Sequence, residues 1–499
     1  MERIKQLYFS LSKQEVRHLK SYLGAFQNRG QNKSLELLEL LDRFPDYTQH
    51  QMAEALYGDP QSKAFIMLKS RLLEKMLEAL SLSVNLQNNP QVKEDPAGFA
   101  VIEIQKEVMH ALLLRRRGLD ELARELLENC AKRAGELDLP ELRLQALVYL
   151  HSFSTDKQAV GGSLFEDIQA TLERYRTDIL CSGAWDAFRV LESGRTGGEQ
   201  QQLGFFAQKL PVLRERLNAH YSPRGEYFVL QMQLQEQQTQ HDYAACRQTL
   251  AQLIALLESR PGLAHRNRLG IPYLQQADLA LRTGHFDEAI QAAEQARGIF
   301  PARKKNYLQA SLLQAFALIY AGRAPAAGTL LDSLDWFAEQ AQHQLSAGLI
   351  AYLKACVLYV KGDYKRAMQM LARAEDLSLE DKEGWNAGIR IFEIQLLLDQ
   401  QQQDLAAARI ETLRKHISRY KVDVRSELIY RFLHLLERQS FHYQAIGTEG
   451  ERLLRKMADE DPWTALSHEV IRFDVWLRGR QTGTPFYPLL QETLMREAG

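Results

Sequence analysis

Small residues and turn glycines recur at a nearly constant spacing in this 499-residue chain, and this repeat constrains the fold more than any other feature. The fullest copy surrounds Gly284, with Ala277 before it and Ala289 after it. Small side chains at such positions let two antiparallel helices approach closely, and glycine permits the tight turn between them. The same pattern recurs around further centres: Gly118, His241, Gly322, Gly362, Gln401 and Gln439.

The spacing of these centres predicts an array of helical hairpins with a period of about 40 residues. Two further turns are expected at Gly161-Gly162 and at Gly197-Gly198, which gives nine hairpins between about residues 98 and 458. The chain has only 29 glycines and 14 prolines, and it shows no series of alternating apolar and polar residues bounded by turns. The sequence therefore predicts an all-α protein.

The Gly284 unit resembles a tetratricopeptide repeat, because Phe286 and Pro301 also stand at the family's aromatic and proline positions. The resemblance implies a right-handed superhelical solenoid of antiparallel helical hairpins. We expect its helices to be longer than those of the family's usual unit of about 34 residues. The resemblance also implies binding of a protein or peptide on the concave face.

The ends of the chain do not follow the repeat. Residues 1–85 are expected to form an N-terminal helical module, with capping sequences at Ser12 and Thr48. The polar stretch 86–98 contains two prolines and is interpreted as a linker to the solenoid at 99–458. Residues 459–499 are expected to form C-terminal helices that cap the apolar face of the last hairpin.

Motifs for catalysis, cofactors and metals are not found in the sequence. It contains no phosphate-binding GxxxxGK[ST] loop, no HExxH zinc motif and no GxSxG elbow. The four cysteines fall in predicted helices, and burial explains them better than reactivity does. We therefore predict a non-enzymatic protein with no cofactor and no metal site.

The hairpin phase places several side chains outside the helix–helix contacts within each hairpin. An aromatic strip on the first helices of adjacent hairpins could anchor a partner, since aromatic residues are enriched at interfaces. The alternative is that these aromatic side chains pack between neighbouring repeats. The candidate partner-binding residues are Asp278, Arg282, Phe316, Tyr320, Tyr352 and Tyr359.

Two functions remain open. The favoured one is a scaffold or adaptor that binds a protein or peptide in the groove. The alternative is a DNA-binding transcriptional regulator in which the solenoid acts as a sensor. In that case residues 1–85 contain a helix-turn-helix, whose second helix would place four cations near DNA phosphates: Lys63, Lys69, Arg71 and Lys75. Residues 1–85 hold 12 Lys and Arg against 10 Asp and Glu, a weak excess for a nucleic-acid module. The absence of a long apolar run predicts no membrane partner and a cytoplasmic location.

Overall fold

A computed structural model describes residues 1–25, 32–83, 96–153, 163–193, 198–260, 262–263, 266–338, 344–374, 384–420 and 422–498. All regular elements in these ranges are helices, which confirms the all-α prediction. No helix within them is at once long enough and apolar enough to cross a membrane. The chain forms two compact units, Met1–Arg176 with Pro261–His265, and Thr177–Arg260 with Arg266–Gly499.

The first unit begins with short amphipathic helices. Ser12 and Thr48 each accept a hydrogen bond in a capping box, as the sequence predicts, and so begin α2 and α4. The helices of this unit are α1 (Glu2–Ser10), α2 (Lys13–Gly24), α3 (Lys33–Arg43), α4 (Gln49–Tyr57), α5 (Lys63–Ser83), α6 (Pro96–Arg115), α7 (Asp120–Glu136), α8 (Pro140–Phe153) and the first part of α9 (Ser163–Ser193).

The limits predicted for the domains stay predictions. Most of the expected linker at 86–98 lies outside the described residues, and α6 begins within its last part, at Pro96. The division into compact units falls inside α9 rather than at any of the predicted limits. The glycine pair Gly161-Gly162 and Gly197 also lie outside the described residues. Between these two expected turns, the repeat period predicts helices of ordinary hairpin length. The structure has instead one helix of 31 residues, α9.

The second unit is built from helices that pair as hairpins. The first helices of its hairpins are α11 (Pro223–Thr239), α13 (Arg266–Arg282), α15 (Lys305–Tyr320), α18 (Gln344–Val360), α20 (Trp385–Asp399) and α22 (Val424–Arg438). The second helices are α12 (Tyr243–Ser259), α14 (Phe286–Ile299), α16 (Ala324–Asp332), α19 (Tyr364–Leu371), α21 (Gln403–Arg419) and α23 (Gly447–Glu460). The remaining helices are α10 (Glu199–Ala219), the short α17 (Asp335–Ala338), α24 (Phe473–Thr482) and α25 (Phe486–Ala498).

The turns between paired helices lie at the predicted centres His241, Gly284, Gly322, Gly362 and Gln401. In the last hairpin the left-handed residues are Ser440 and Phe441, which follow the predicted centre Gln439. The backbone is left-handed at these positions, with φ of 75° at Gly284, 79° at Gly322 and 81° at Gly362. His241 and Gln401 adopt the same conformation with φ of 56° and 62°, although they carry side chains. In each turn the next residue donates its N–H to the carbonyl five residues back, as from His285 to Ala280, which ends the first helix in a Schellman motif.

Alanines close the gap between the two helices of a hairpin. Ala277 and Ala289 are fully buried where α13 meets α14, and Ala355 and Ala367 are fully buried where α18 meets α19. A larger side chain at these fully buried positions would overpack the contact between the two helices. The repeated hairpins are therefore tetratricopeptide-like, as the sequence resemblance implies.

Candidate polypeptide-binding surface

The first helices α11, α13, α15, α18, α20 and α22 present the surface on which the sequence places the partner; we call it the first-helix surface. Residues 462–498, which we call the C-terminal segment, lie along one part of it, from α15 to α22. The segment therefore contacts four successive hairpins and is more than a cap on the last one. The remaining part, formed by α11, α13 and the beginning of α15, carries an open cleft.

The predicted aromatic strip is not exposed. Phe316, Tyr320, Tyr352 and Tyr359 retain only 3, 1, 1 and 4% of their accessible surface. They lie on first helices, as the hairpin phase predicts, but other parts of the chain cover them. A partner could contact these four side chains only if the groups that cover them moved away, and the partner-binding role assigned to them stays a prediction.

The C-terminal segment supplies much of this cover. Trp463 packs edge-on against Tyr320 at a ring separation of 5.4 Å, and Phe486 lies 5.7 Å from Tyr359. Phe316 instead packs near Trp385, at 6.1 Å. Burial raises the pKa of the Tyr320 phenol well above its ordinary value, because the ionised form would lie in an apolar surrounding.

Side chains on the first helices hold the backbone of the C-terminal segment. The Tyr352 hydroxyl donates to the carbonyl of His468 at 2.7 Å, and Gln395 Nε2 donates to the carbonyl of Ile471 at 3.3 Å. Residues 462–472 are not helical, so their carbonyls depend on such partners. The first helices thus bind main-chain groups of an irregular segment of this same chain.

A buried ion pair fixes the acidic side chain of the same stretch. The Arg425 guanidinium on α22 binds both carboxylate oxygens of Glu469, and the two side chains are 7 and 1% exposed. Arg425 Nη2 also donates to Asp474 at 3.2 Å. Burial opposes the charge on Arg425, but the Glu469 carboxylate outweighs it and raises the pKa of the guanidinium. Removing either partner would leave an uncompensated buried charge.

Gly388 on α20 permits the closest backbone approach in this contact. A Cβ atom built at this residue would lie 2.4 Å from the carbonyl oxygen of His468, which is inside van der Waals contact. The backbone here is ordinary helix, so glycine is required by space rather than by conformation.

Serine, histidine and aspartate side chains meet beside this contact, but not in the order of a nucleophilic triad. Ser426 Oγ donates to Asp423 at 2.7 Å and lies 2.8 Å from His468 Nε2. Asp423 approaches that same nitrogen at 3.5 Å. A triad needs the serine and the carboxylate at opposite ring nitrogens, so this cluster cannot relay a proton in that way. Among the described residues there is also no group of three side chains suited to a metal ion.

Asp278 and Arg282 are the two candidate residues that remain accessible. They form an exposed ion pair on α13, with Arg282 Nε donating to Asp278 Oδ2 at 2.7 Å, and this hydrogen bond raises the pKa of Arg282. Both line the open cleft, a cavity of about 390 Å³. The other polar residues of its lining are Gln238, His241, Tyr243, Gln275 and Gln309.

Gln275 lines the open cleft, but its amide oxygen is buried beneath the surface. This oxygen, Oε1, receives no hydrogen bond from any residue that the structure describes. Buried acceptors without a partner are costly and call for an explanation, such as a bound water. Gln238, Gln275 and Gln309 come from α11, α13 and α15, so the cleft spans three successive first helices.

The cations proposed to contact DNA have mixed surroundings. Lys69 Nζ donates to Gln49 at 2.6 Å, and Lys75 Nζ lies 5.8 Å from the Tyr22 ring, while Lys63 and Arg71 are exposed. The same helix, α5, buries apolar side chains in the core of the first unit. The DNA-binding alternative stays a prediction.

All four cysteines are buried, which confirms the sequence interpretation. Burial raises the pKa of the Cys130 and Cys181 thiols to about 12. Burial also raises the pKa of Cys246, and that of Cys356 well above its ordinary value. Because the thiolate is the nucleophilic form, none of these side chains is poised for catalysis.

No protein-family model matches the chain, and no curated protein matches it. Among solved structures, a Rap protein in complex with competence and sporulation factor is similar to 79% of this chain, over 97% of its own length. The sequence identity is 13% and the TM-score is 0.38. A similarity of this size carries no conclusion about function.

The residues that sequence reasoning missed lie mostly in the C-terminal segment. Trp463 and Glu469 stand outside the repeat, and the sequence interpretation treated this region as an end cap. The density of aromatic, charged and apolar residues in WTALSHEVIRFDVWL was the available signal, since a simple cap needs only an apolar face.

Proposed function

We propose that the protein is a non-enzymatic scaffold or adaptor, and that its first-helix surface binds a protein or peptide partner. The observation that supports this proposal most is the set of contacts between the first-helix surface and the C-terminal segment. This surface holds an irregular stretch of polypeptide through main-chain carbonyls, a buried ion pair and aromatic contacts. A surface with these features has the chemistry that peptide recognition requires.

The partner's site is assigned to the open cleft. This part of the surface is not covered by the C-terminal segment, and its lining offers amide groups, an ion pair and the exposed side chain of Tyr243. Glutamine side chains both donate and accept, so they can bind the N–H and C=O groups of an extended peptide.

Affinity capture with the full chain tests this function. The variant D278A/R282A removes the exposed ion pair of the cleft, and E427A/R431A removes a matched exposed pair, also four residues apart, from α22. Either loss should cost little stability, because exposed pairs of this kind are worth about 0.3–0.5 kcal/mol. We expect specific partners from cells of the source organism to be depleted by D278A/R282A and retained by E427A/R431A.

Two results would contradict the proposal. One is equal recovery of all partners by both variants, which would place binding outside the cleft. The other is the absence of any protein enriched by the wild-type chain over an unrelated helical protein of similar charge.

A further inference from the structure

A second cavity, of about 460 Å³, lies where the C-terminal helices α24 and α25 meet the ends of α18 and α20. This volume is within the range of small-molecule sites, which are mostly apolar with a few convergent polar groups. Its lining is aromatic, and its charged side chains are Lys361, Asp399 and Arg480. The aromatic side chains are Tyr359, Tyr364, Trp476, Phe486 and Tyr487.

The hydrogen bonds of Asp399 are already made within the protein. Its carboxylate, 7% exposed, accepts from the Tyr359 hydroxyl at 2.6 Å and from Trp476 Nε1 at 3.1 Å. Burial raises its pKa, and the Tyr359 hydrogen bond, the charge of Arg480 and the Trp476 hydrogen bond only partly offset that effect. Asp399 therefore has little capacity left for a cationic ligand.

The guanidinium of Arg480, in contrast to the Asp399 carboxylate, is not fully hydrogen-bonded by the described residues. Its Nη1 lies 3.5 Å from Asp399, which is longer than the ~2.7–2.9 Å of a charge-assisted hydrogen bond. Its Nε is buried, and no acceptor for it is found within the described part of the chain. The guanidinium lies 4.9 Å from the Tyr443 ring and also hydrogen-bonds that side chain. The Arg480 side chain as a whole lines the cavity and is 33% exposed, so it is accessible to a ligand there.

We propose that this cavity binds a small aromatic carboxylate, with Arg480 taking the carboxylate and the aromatic lining taking the ring. Lys361 lies exposed at the cavity and adds a second positive charge, so the three charged side chains sum to +1. Arginine is suited to this role because its planar fork matches the geometry of a carboxylate. Tyr364 is 37% exposed and can stack on a bound ring.

Calorimetric titration of the full chain with indole-3-acetate and with tryptamine tests the proposal without any substitution. The two probes share the ring system and carry opposite charges. We expect indole-3-acetate to bind and tryptamine not to bind. Equal binding of both probes, or tighter binding of tryptamine, would mean that Asp399 recognises the ligand, and the proposal would be wrong.

Variants then test the role of Arg480. R480Q should weaken indole-3-acetate at least tenfold, whereas R480K should weaken it less than R480Q does, because lysine retains the charge but lacks the planar fork. R452Q, the same change at an exposed arginine of α23, should have no effect. Unchanged affinity in a folded R480Q variant, checked by its melting curve, would overturn the assignment, as would no binding of indole-3-acetate at millimolar concentration.

An aromatic carboxylate can also be the end of a peptide chain. A tripeptide Gly-Gly-Trp, blocked at its amino end and with a free carboxylate, distinguishes the two sources. Binding of indole-3-acetate at least as tight as that of the peptide supports a small-molecule site. Binding of the peptide alone would overturn the small-molecule assignment.

Discussion

Replacing Gly388 by alanine should separate the C-terminal segment from the first-helix surface. The added Cβ would stand 2.4 Å from the His468 carbonyl oxygen and 2.8 Å from its ring. Real Cβ contacts begin near 3.0 Å, so the backbone of the segment must move by more than half an ångström. That shift lengthens the 2.7 Å hydrogen bond from Tyr352 and disturbs the contact of His468 with Ser426.

The expected net cost is about 1–3 kcal/mol, the usual range for overpacking of a well-packed core. Alanine is favoured over glycine inside a helix by roughly 0.5–1 kcal/mol. The net loss in the free energy of unfolding is therefore smaller, by this amount, than the cost of the steric clash alone. Gly183 in α9 supplies the control, because a Cβ there would meet no atom within 4 Å. G183A should therefore raise stability by roughly 0.5–1 kcal/mol while G388A lowers it.

Denaturant melts and hydrogen exchange measure the two effects. In G388A we expect a lower unfolding midpoint and faster amide exchange in residues 463–472, with little change in α13 and α14. If G388A is as stable as G183A and the segment remains protected, the segment does not lie against α20, and its proposed contact with the first-helix surface is refuted.

Four further predictions use other parts of the chain. A289L and A367L should each cost ~1–3 kcal/mol, since both alanines are fully buried between helices, and unchanged thermal melts of both would contradict the helix packing. Burial raises the pKa of Cys130 to about 12, so this thiol should resist a thiol reagent at pH 8 in the native protein and react once the chain is unfolded in guanidinium. Labelling of the native protein at the rate of a free thiol would contradict this. Limited proteolysis should cut first within 86–98, and initial cleavage inside the repeats would argue against the linker. A salt series with duplex DNA tests residues 1–85 in the full chain: the scaffold function predicts no measurable binding, whereas affinity that falls steeply with salt would support the regulator alternative.

The hairpin turns were predictable because they depend on local geometry. A left-handed residue with a hydrogen bond from the next N–H to a carbonyl five residues back ends a helix wherever it occurs. Gly284, Gly322 and Gly362 indicate this conformation directly, and His241 and Gln401 are found by their distance from those glycines. Alanines at fixed offsets then identify the helix crossings.

The burial of the groove aromatics was not predictable in the same way. The phase correctly places Tyr352 on a first helix, but the group that covers it, the His468 carbonyl, is 116 residues away in the chain. Periodicity describes contacts between neighbouring repeats and contains no information on a segment that returns from outside the array. The length of helix α9 was not predicted for a related reason. The glycines on either side of it fit the repeat period, but they do not determine how long the helix between them is.

The depth of the C-terminal contact determines where a partner can bind. Val470, Ile471 and Phe473 are no more than 1% exposed. Re-exposing three such side chains costs roughly 5–9 kcal/mol at about 1.5–3 kcal/mol each. A partner that displaced the segment would lose three to six orders of magnitude in affinity to that cost, at about 1.4 kcal/mol for each tenfold. A partner in the open cleft avoids the cost altogether, because Asp278, Arg282 and Gln275 lie on the uncovered part of the same surface. Under the proposed function, this cost favours a partner on the part of the first-helix surface formed by α11, α13 and the beginning of α15.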